Sequence, residues 1–360
     1  MGLSKQEALE LFRSDDLVGI GLAADQLRKR LHPENVVTYQ IDRNINYTNF
    51  CTEYCSFCAF YRPMGSTEGY LLDLETICQK IDETLALGGT GILLQGGLHG
   101  ELRMDYYENL LRSIKQRYPL LHLHCFSAPE IINIAELSGL TLRDTIARLR
   151  DAGMDSFPGA GAEILDDEMR RRISRLKCTA GEWVDVHRTA HQLGLRTTAT
   201  MMFGCGETYE HRVNHFETLR QIQEETGGFT AFIPWMFQPE NTPLGRTIQE
   251  PATAVDYLKT LALSRLYFDN IENIQSSWLT PGIKICQIGL RFGANDVGSI
   301  IIEENVVAAA GCTNRTTEAE LRRIISDAGF LPVKRDSLYR TFFLNRSAEL
   351  NSPPAQLAVV

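Results

Sequence analysis

Five short apolar runs, "GILLQGG", "LHLHCFS", "DSFPGAG", "RTTATMMFG" and "FTAFIPW", follow one another between residues 91 and 235. They are separated by helical stretches such as "MDYYENLLRSIKQRY" and "AGEWVDVHRTAHQLG". A sixth run, "VVTYQIDRNINYT", precedes them, with "DLETICQKIDETLALG" between. Strand followed by helix, repeated, calls for a parallel sheet with right-handed crossovers. The expected fold class is therefore α/β, a six-stranded (β/α) core that later segments can complete to a TIM-type barrel. Several of the runs end in Gly, Ser or Pro, which suits tight turns at the carboxyl ends of the strands, the rim where barrel active sites sit.

The 360 residues fall within the range of one such barrel. Residues 1–36 carry apolar positions at helical spacing and read as a helical N-terminal lead. Residues 37–345 read as the barrel with its C-terminal completion: a helix from Gln249 to about Leu266, a helical "IKICQIGLRFG", a late strand in "NDVGSIII" and a final helix in "TEAELRRIISDAG". Residues 346–360 read as a tail.

With 45 acidic against 36 basic side chains the chain carries a formal charge of −9, so nothing draws it to nucleic acid or an anionic membrane. It has no signal-type apolar core, and no run approaches the roughly 20 residues of a membrane span, so the expected location is the cytoplasm. Nine cysteines, an odd number, do not suit a disulfide scaffold.

Three of those thiols, Cys51, Cys55 and Cys58, crowd into "NFCTEYCSFCAFYR". A structural zinc site wants four closed ligands, and no second pair follows at the usual spacing; a three-ligand catalytic zinc seldom takes all its ligands from one short loop. A four-iron cluster is held by thiolates, and three of them leave one iron open to a small molecule.

A CxxxCxxC loop after the first strand of a β/α barrel resembles the radical S-adenosylmethionine (radical SAM) superfamily. The resemblance implies a radical SAM barrel holding a [4Fe-4S] cluster on Cys51, Cys55 and Cys58, with S-adenosyl-L-methionine on its open iron. It also implies cofactor contacts from Phe57, Ala59 and Tyr61 along the adenine, from Gln95, Gly96 and Gly97 at the methionine, and from Glu163 in "GAGAEIL" and Ser127 toward the ribose. Taken alone, the glycines are as well explained by an ordinary turn, and Glu163 by a helix start.

From Val37 to Leu338, "LHLHCFSAPEI", "ISRLKCTAGEW", "TTATMMFG" and "FIPWMFQPENTPL" resemble the dehypoxanthine futalosine cyclase family of menaquinone synthesis. That family makes a spirocycle after a 5′-deoxyadenosyl radical removes the ribose C4′ hydrogen of a small nucleoside, with an electron donor such as flavodoxin or ferredoxin. Candidates for the proton acceptor, near expected strand ends, are Glu207, Glu240, Tyr61 and His99. Arg62, Glu240, Asn241 and Arg246 are candidate substrate contacts, the arginines because a guanidinium binds a carboxylate with two hydrogen bonds. Trp235, Met236 and Phe237 suit either a pocket wall or plain core. Where many members carry a histidine before "ET", this chain reads "GCGET", with Cys205 in its place. The alternatives are aminofutalosine synthase, the related deazaflavin-cofactor enzyme, or a non-catalytic iron–sulfur or zinc protein.

Overall fold

The computed structural model describes residues 2–341, so the expected tail lies outside the described residues. In chain order the first half comprises α1 (Lys5–Arg13), α2 (Leu17–Leu31), β1 (Val36–Gln40), β2 (Asp42–Ile45), α3 (Leu74–Ala86), β3 (Gly91–Leu94), α4 (Met104–Arg117), β4 (His122–Cys125), α5 (Ala128–Ser138), α6 (Leu142–Ala152), β5 (Ser156–Phe157) and α7 (Asp167–Ile173). There follow α8 (Ala180–Gln192), β6 (Arg196–Phe203), α9 (Tyr209–Thr226), β7 (Phe229–Met236), α10 (Ala254–Tyr267), β8 (Asn273–Ile274), α11 (Ile283–Gly289), β9 (Asp296–Ser299), α12 (Val306–Ala309), α13 (Glu318–Asp327) and β10 (Leu331–Lys334).

Strands β2 to β8 form one parallel sheet in sequence order. The expected six-stranded core thus gains β8, whose two residues are too few to leave a periodic signal. A second parallel sheet runs β10-β1-β9. Only Ile41 separates β1 from β2, and β9 bonds on both of its sides: Ser276 N donates to Asp296 O at 2.8 Å, and Ile300 N to Gln40 O at 3.1 Å. The curled seven-stranded sheet is a half-barrel, and β9 spans the gap between β8 and the bent β1–β2 strand.

Successive side chains of a strand point to opposite faces. Ile45, Ile92, Leu94, Leu123, Cys125, Ala199 and Met201 are buried in the core. Gln40, Asp42, Asn44 and Asn46, at alternate positions of β1–β2, point into the barrel with Leu93, His124, Thr198, Thr200, Ile233 and Trp235. Several helices start on capping side chains, with full capping boxes at Ser127–Glu130 and Thr179–Glu182 among them. Thr253 caps α10 and delays it to Ala254, later than the apolar pattern suggests. In the N-terminal lead, α1 packs on α9, where Phe12 stacks on Tyr209 at 5.0 Å, and α2 packs on α10.

Candidate active site

A cavity of about 420 Å³ occupies the barrel and is lined by all three loop cysteines. The loop is stitched to its surroundings by backbone bonds: Cys51 N donates to Arg62 O at 3.0 Å, Thr52 N to Leu98 O at 3.1 Å and Ser56 N to Ile173 O at 2.9 Å. Arg62 Nη1 donates to the carbonyls of Ala59, Phe60 and Tyr61 at 3.1, 3.3 and 2.9 Å, which fixes the turn that follows Cys58. Burial pushes the Cys51 thiol up, and pushes Cys55 up to about 12, while the Lys177 ammonium opposes both. Among the described residues no three His, Cys, Asp or Glu side chains converge to enclose a single ion.

Gly96 and Gly97 press against this loop. A Cβ on Gly97 would lie 2.2 Å from Phe50 O, and one on Gly96 2.8 Å from the Tyr47 ring. Side chains are thereby forbidden where the turn lines the cavity, and its backbone is left open to a ligand. Gln95 lines the cavity beside them.

Glu163 is buried at the end of β5's loop with φ +40°, a conformation that non-glycine residues seldom hold. Its Oε1 accepts from Lys177 Nζ at 3.0 Å, while its Oε2 has no hydrogen-bond partner. A second orphan is Glu53 Oε2, beside Cys51, on a carboxyl that burial pushes up. Lys177 also lies over the Phe57 ring at 5.3 Å. Arg170 Nη1 lies 3.8 Å from Glu163 Oε2, an ion pair without a hydrogen bond; buried acceptors with no hydrogen bond are rare, and two such carboxylate oxygens facing one cavity suit ligand donors. Phe57, Tyr61 and Ser127 line the same space. The Ser127 hydroxyl is committed to Glu130, donating to its Oε2 at 2.7 Å. Ala59 does not line the cavity; its carbonyl takes Arg62.

Several expected site residues are not brought to the cavity. Glu207 is locked behind the sheet: it accepts from Gly204 N at 2.9 Å and Cys205 N at 2.8 Å and pairs with Arg212 at 2.7 Å. Burial pushes its carboxyl up, but Arg212 and the backbone amides outweigh that, and the net shift is down, which makes it a poor base. His99 is buried edge-on to Phe50 and its Nδ1 accepts from Glu101 N at 3.2 Å. Arg62 spends its guanidinium on the loop carbonyls and on Glu68 at 2.6 Å. Glu240, Asn241 and Arg246 are exposed in the loop after β7, and Asn241 Nδ2 donates to Ala309 O at 3.0 Å. That proline-bounded loop fastens α12 instead of entering the barrel. Cys205 sits beside Glu207, its Sγ donating at 3.3 Å, away from the cavity wall.

Sequence reasoning missed Lys177, Glu53 and Glu304. The first two lie within or just beyond motifs already singled out, but nothing in their spacing points inward. Glu304 lines the cavity from the segment after β9, where its Oε1 accepts from Val306 N and Val307 N at 2.7 and 2.9 Å. Burial pushes its carboxyl up.

Residues 45–219 match the radical SAM superfamily model, and residues 226–347 match the CofH/MqnC C-terminal region. The chain is 47% identical over 350 residues to the cyclic dehypoxanthine futalosine synthase of Halalkalibacterium halodurans, covering 96% of this chain and 94% of that protein. It is 42% identical to the enzyme of the same name from Streptomyces coelicolor, covering 94% and 85%. It is also 42% identical to the 5-amino-6-(D-ribitylamino)uracil–L-tyrosine 4-hydroxyphenyl transferase of Methanothermobacter thermautotrophicus, covering 94% of each. In fold it resembles methylornithine synthase, with a TM-score of 0.69 and 22% identity over 92% of this chain and 94% of that one. It also resembles the hydrogenase maturase HydG of Carboxydothermus hydrogenoformans, with a TM-score of 0.73 and 18% identity over 94% and 78%. The chain belongs to the radical SAM superfamily and, within it, to the family of the cyclic dehypoxanthine futalosine synthases.

Proposed function

We propose that this chain cyclises dehypoxanthine futalosine to cyclic dehypoxanthine futalosine in menaquinone synthesis. The observation that carries the reading is a three-thiol loop opening on a barrel cavity that also presents two orphaned carboxylate oxygens, in a chain 47% identical to a synthase of that name.

The residues present fit the cofactors of this family. Cys51, Cys55 and Cys58 supply three thiolates, and Gly96 and Gly97 form a cradle that a Cβ would fill. Glu53 and Lys177 offer opposite charges beside the thiols, suited to the ammonium and carboxylate of a methionine. Glu163 Oε2 suits a ribose hydroxyl donor, and Phe57 and Tyr61 provide ring faces for the adenine. When bound, the cluster and S-adenosylmethionine supply hydrogen-atom abstraction at the substrate ribose.

The rest of the cavity suits the nucleoside. Asn44, Asn46, Thr198, Gln275 and Ser277 offer neutral hydrogen bonds, and Ile233 and Trp235 an apolar wall for the benzoate ring. Radical closure onto that benzoate regains aromaticity by losing one electron, to an acceptor such as a flavodoxin or ferredoxin, and one proton. We assign its acceptance to Glu304 in place of Glu207 and His99: it faces the cavity, and burial makes its carboxylate more basic than an exposed one. Among the described residues no helix is long and apolar enough to cross a membrane. A cytoplasmic enzyme served by a flavodoxin or ferredoxin fits this reading.

The likeness to the tyrosine hydroxyphenyl transferase, at 42%, favours a second reading in which the same radical initiation joins tyrosine to a ribitylaminouracil. Anaerobic reconstitution with iron and sulfide, reduction, and incubation with either substrate pair separates the two. A spirocycle formed from dehypoxanthine futalosine, dependent on all three cysteines, supports the cyclase. Transfer from tyrosine with the nucleoside untouched overturns it.

A further inference from the structure

Glu130 lies outside the cavity and is fully buried in the third position of α5. Four donors converge on its two oxygens. Gly96 N and Tyr47 OH donate to Oε1 at 2.9 and 3.0 Å, and Ser127 N and Ser127 Oγ donate to Oε2, both at 2.7 Å. These donors come from three consecutive segments: the end of the β2 region, the glycine turn after β3 and the turn after β4. Gly96 and Ser127 themselves line the cavity.

An ionised carboxylate accepts at both oxygens, and no other side chain of this length and shape does so. An amide or a protonated acid would turn hydrogens onto one of the two donor pairs and leave its backbone N–H unmet. Burial pushes this carboxyl up and the four hydrogen bonds oppose it, leaving it at about 7. The chain thus maintains a costly buried acid where an ordinary capping box would be satisfied by an exposed one.

We propose that Glu130 is a positioning residue for the cofactor: from behind the wall it clamps the Gly96 amide and the Ser127 turn at a fixed separation, and so sets the affinity for S-adenosylmethionine. This role rests on the reading that the glycine turn holds the methionine moiety. Its mechanism is preorganisation, because a turn already fixed loses little freedom when the ligand arrives.

The test uses full-length protein reconstituted with iron and sulfide, with S-adenosylmethionine binding followed by equilibrium dialysis. Each donor pair contains one hydroxyl that can rotate to accept from the amide, so Glu130→Gln leaves one backbone N–H unmet and is expected to weaken binding about tenfold. Iron content and the KM for the nucleoside should stay within about twofold of wild type. A general structural role would instead move all three quantities together, and that pattern overturns the proposal, as does unchanged affinity. If the amide variant does not fold, Glu130→Asp keeps the charge but draws it back from Gly96, and the same selective loss is expected. Wild-type protein that holds its iron but does not bind S-adenosylmethionine overturns the reading beneath the proposal as well as the proposal. Normal wild-type affinity with an unaffected variant overturns the proposal alone.

Discussion

The two ends of the barrel cavity treat buried charge in opposite ways. At the floor, Arg335 makes a two-pronged pair with Asp296 at 2.5 and 3.0 Å and also donates to Gln40 and to Asp336 O, while the Tyr339 ring covers it at 3.7 Å. Asp296 takes further bonds from Thr38 and from Gly298 N. At the cysteine end, Glu53 Oε2 has no hydrogen-bond partner, and Glu163, paired with Lys177 through Oε1 at 3.0 Å, meets only the Arg170 guanidinium at 3.8 Å from its Oε2, with no hydrogen bond. A buried charge with every hydrogen bond met holds structure, whereas a carboxylate oxygen left without a donor costs stability that a ligand's donor can return. The unmet hydrogen-bond acceptors thus gather at the rim and the fully bonded charges at the floor, inside one continuous space.

The largest effect expected from breaking this contrast is at the thiols. Cys55→Ala should abolish cluster loading and all formation of 5′-deoxyadenosine, read by iron content and product analysis. It should leave thermal stability of the iron-free protein changed by no more than about 2 kcal/mol, since a small buried hydrophobe replaces another. At the floor the pattern should invert. Arg335→Met strands Asp296 and should cost about 3–5 kcal/mol in denaturant unfolding, with cluster loading retained at temperatures where the protein folds. The double variant Arg335→Met, Asp296→Leu should recover much of that loss, because breaking a buried pair is worse than removing it.

The same contrast explains what was legible in the sequence. The cysteine end is local: three thiols within eight residues, with a glycine turn and a strand-helix alternation to place them. Its placement at the rim could be anticipated because thiol spacing and strand periodicity are both short-range signals. The floor is assembled from β1, β9 and β10, and the pairing of Arg335 with Asp296 spans chain segments that share no pattern. Glu207, His99 and Glu240 misled for a related reason, since proximity to a strand end does not say whether a side chain turns into the barrel or back toward the helices. The alternate polar positions Gln40, Asp42, Asn44 and Asn46 did carry that information, because a period of two with polar residues on the inner face is what a lined barrel requires.

An intermediate effect is expected at Glu304, which tests whether the nucleoside half of the cavity carries chemistry of its own. Glu304→Gln should leave 5′-deoxyadenosine formation within about threefold of wild type but reduce cyclised product by about 10²-fold, as expected for loss of a positioned base. Equal loss of both products would return Glu304 to a structural role.

Acid should act on the wall and floor before the rim. Burial pushes His124, which lines the cavity above Arg335, down to about 3 from its usual 6.5, and the neighbouring charges of His122 and Arg335 push the same way. His215, behind the sheet, is likewise pushed down to about 3, mainly by burial. A histidine held neutral when folded binds its proton only in the unfolded chain between those values. Its contribution is therefore complete above pH 6.5 and is lost as the pH falls from there toward 3, by up to about 1.4 kcal/mol per unit for each ring. Urea midpoints measured between pH 7.5 and 5 should fall toward the acid side, and Phe in place of His215 should flatten the slope. A midpoint that holds steady to pH 5 would mean that these rings are not kept neutral.

The smallest effect is expected at Cys205. Its thiol donates to Glu207 at 3.3 Å on the far side of β6 from the cavity, and Glu207 is already held by Arg212 and two backbone amides. Replacing the thiol removes one weak donor from a carboxylate that keeps its stronger ones. Cys205→Ser should therefore change the rate of cyclisation by less than about twofold and stability by about 1 kcal/mol. A tenfold loss of product with intact 5′-deoxyadenosine formation would show that this position reaches the reaction through Glu207 after all. It would then extend the functional end of the barrel beyond the cavity wall, which the geometry of Glu207 argues against.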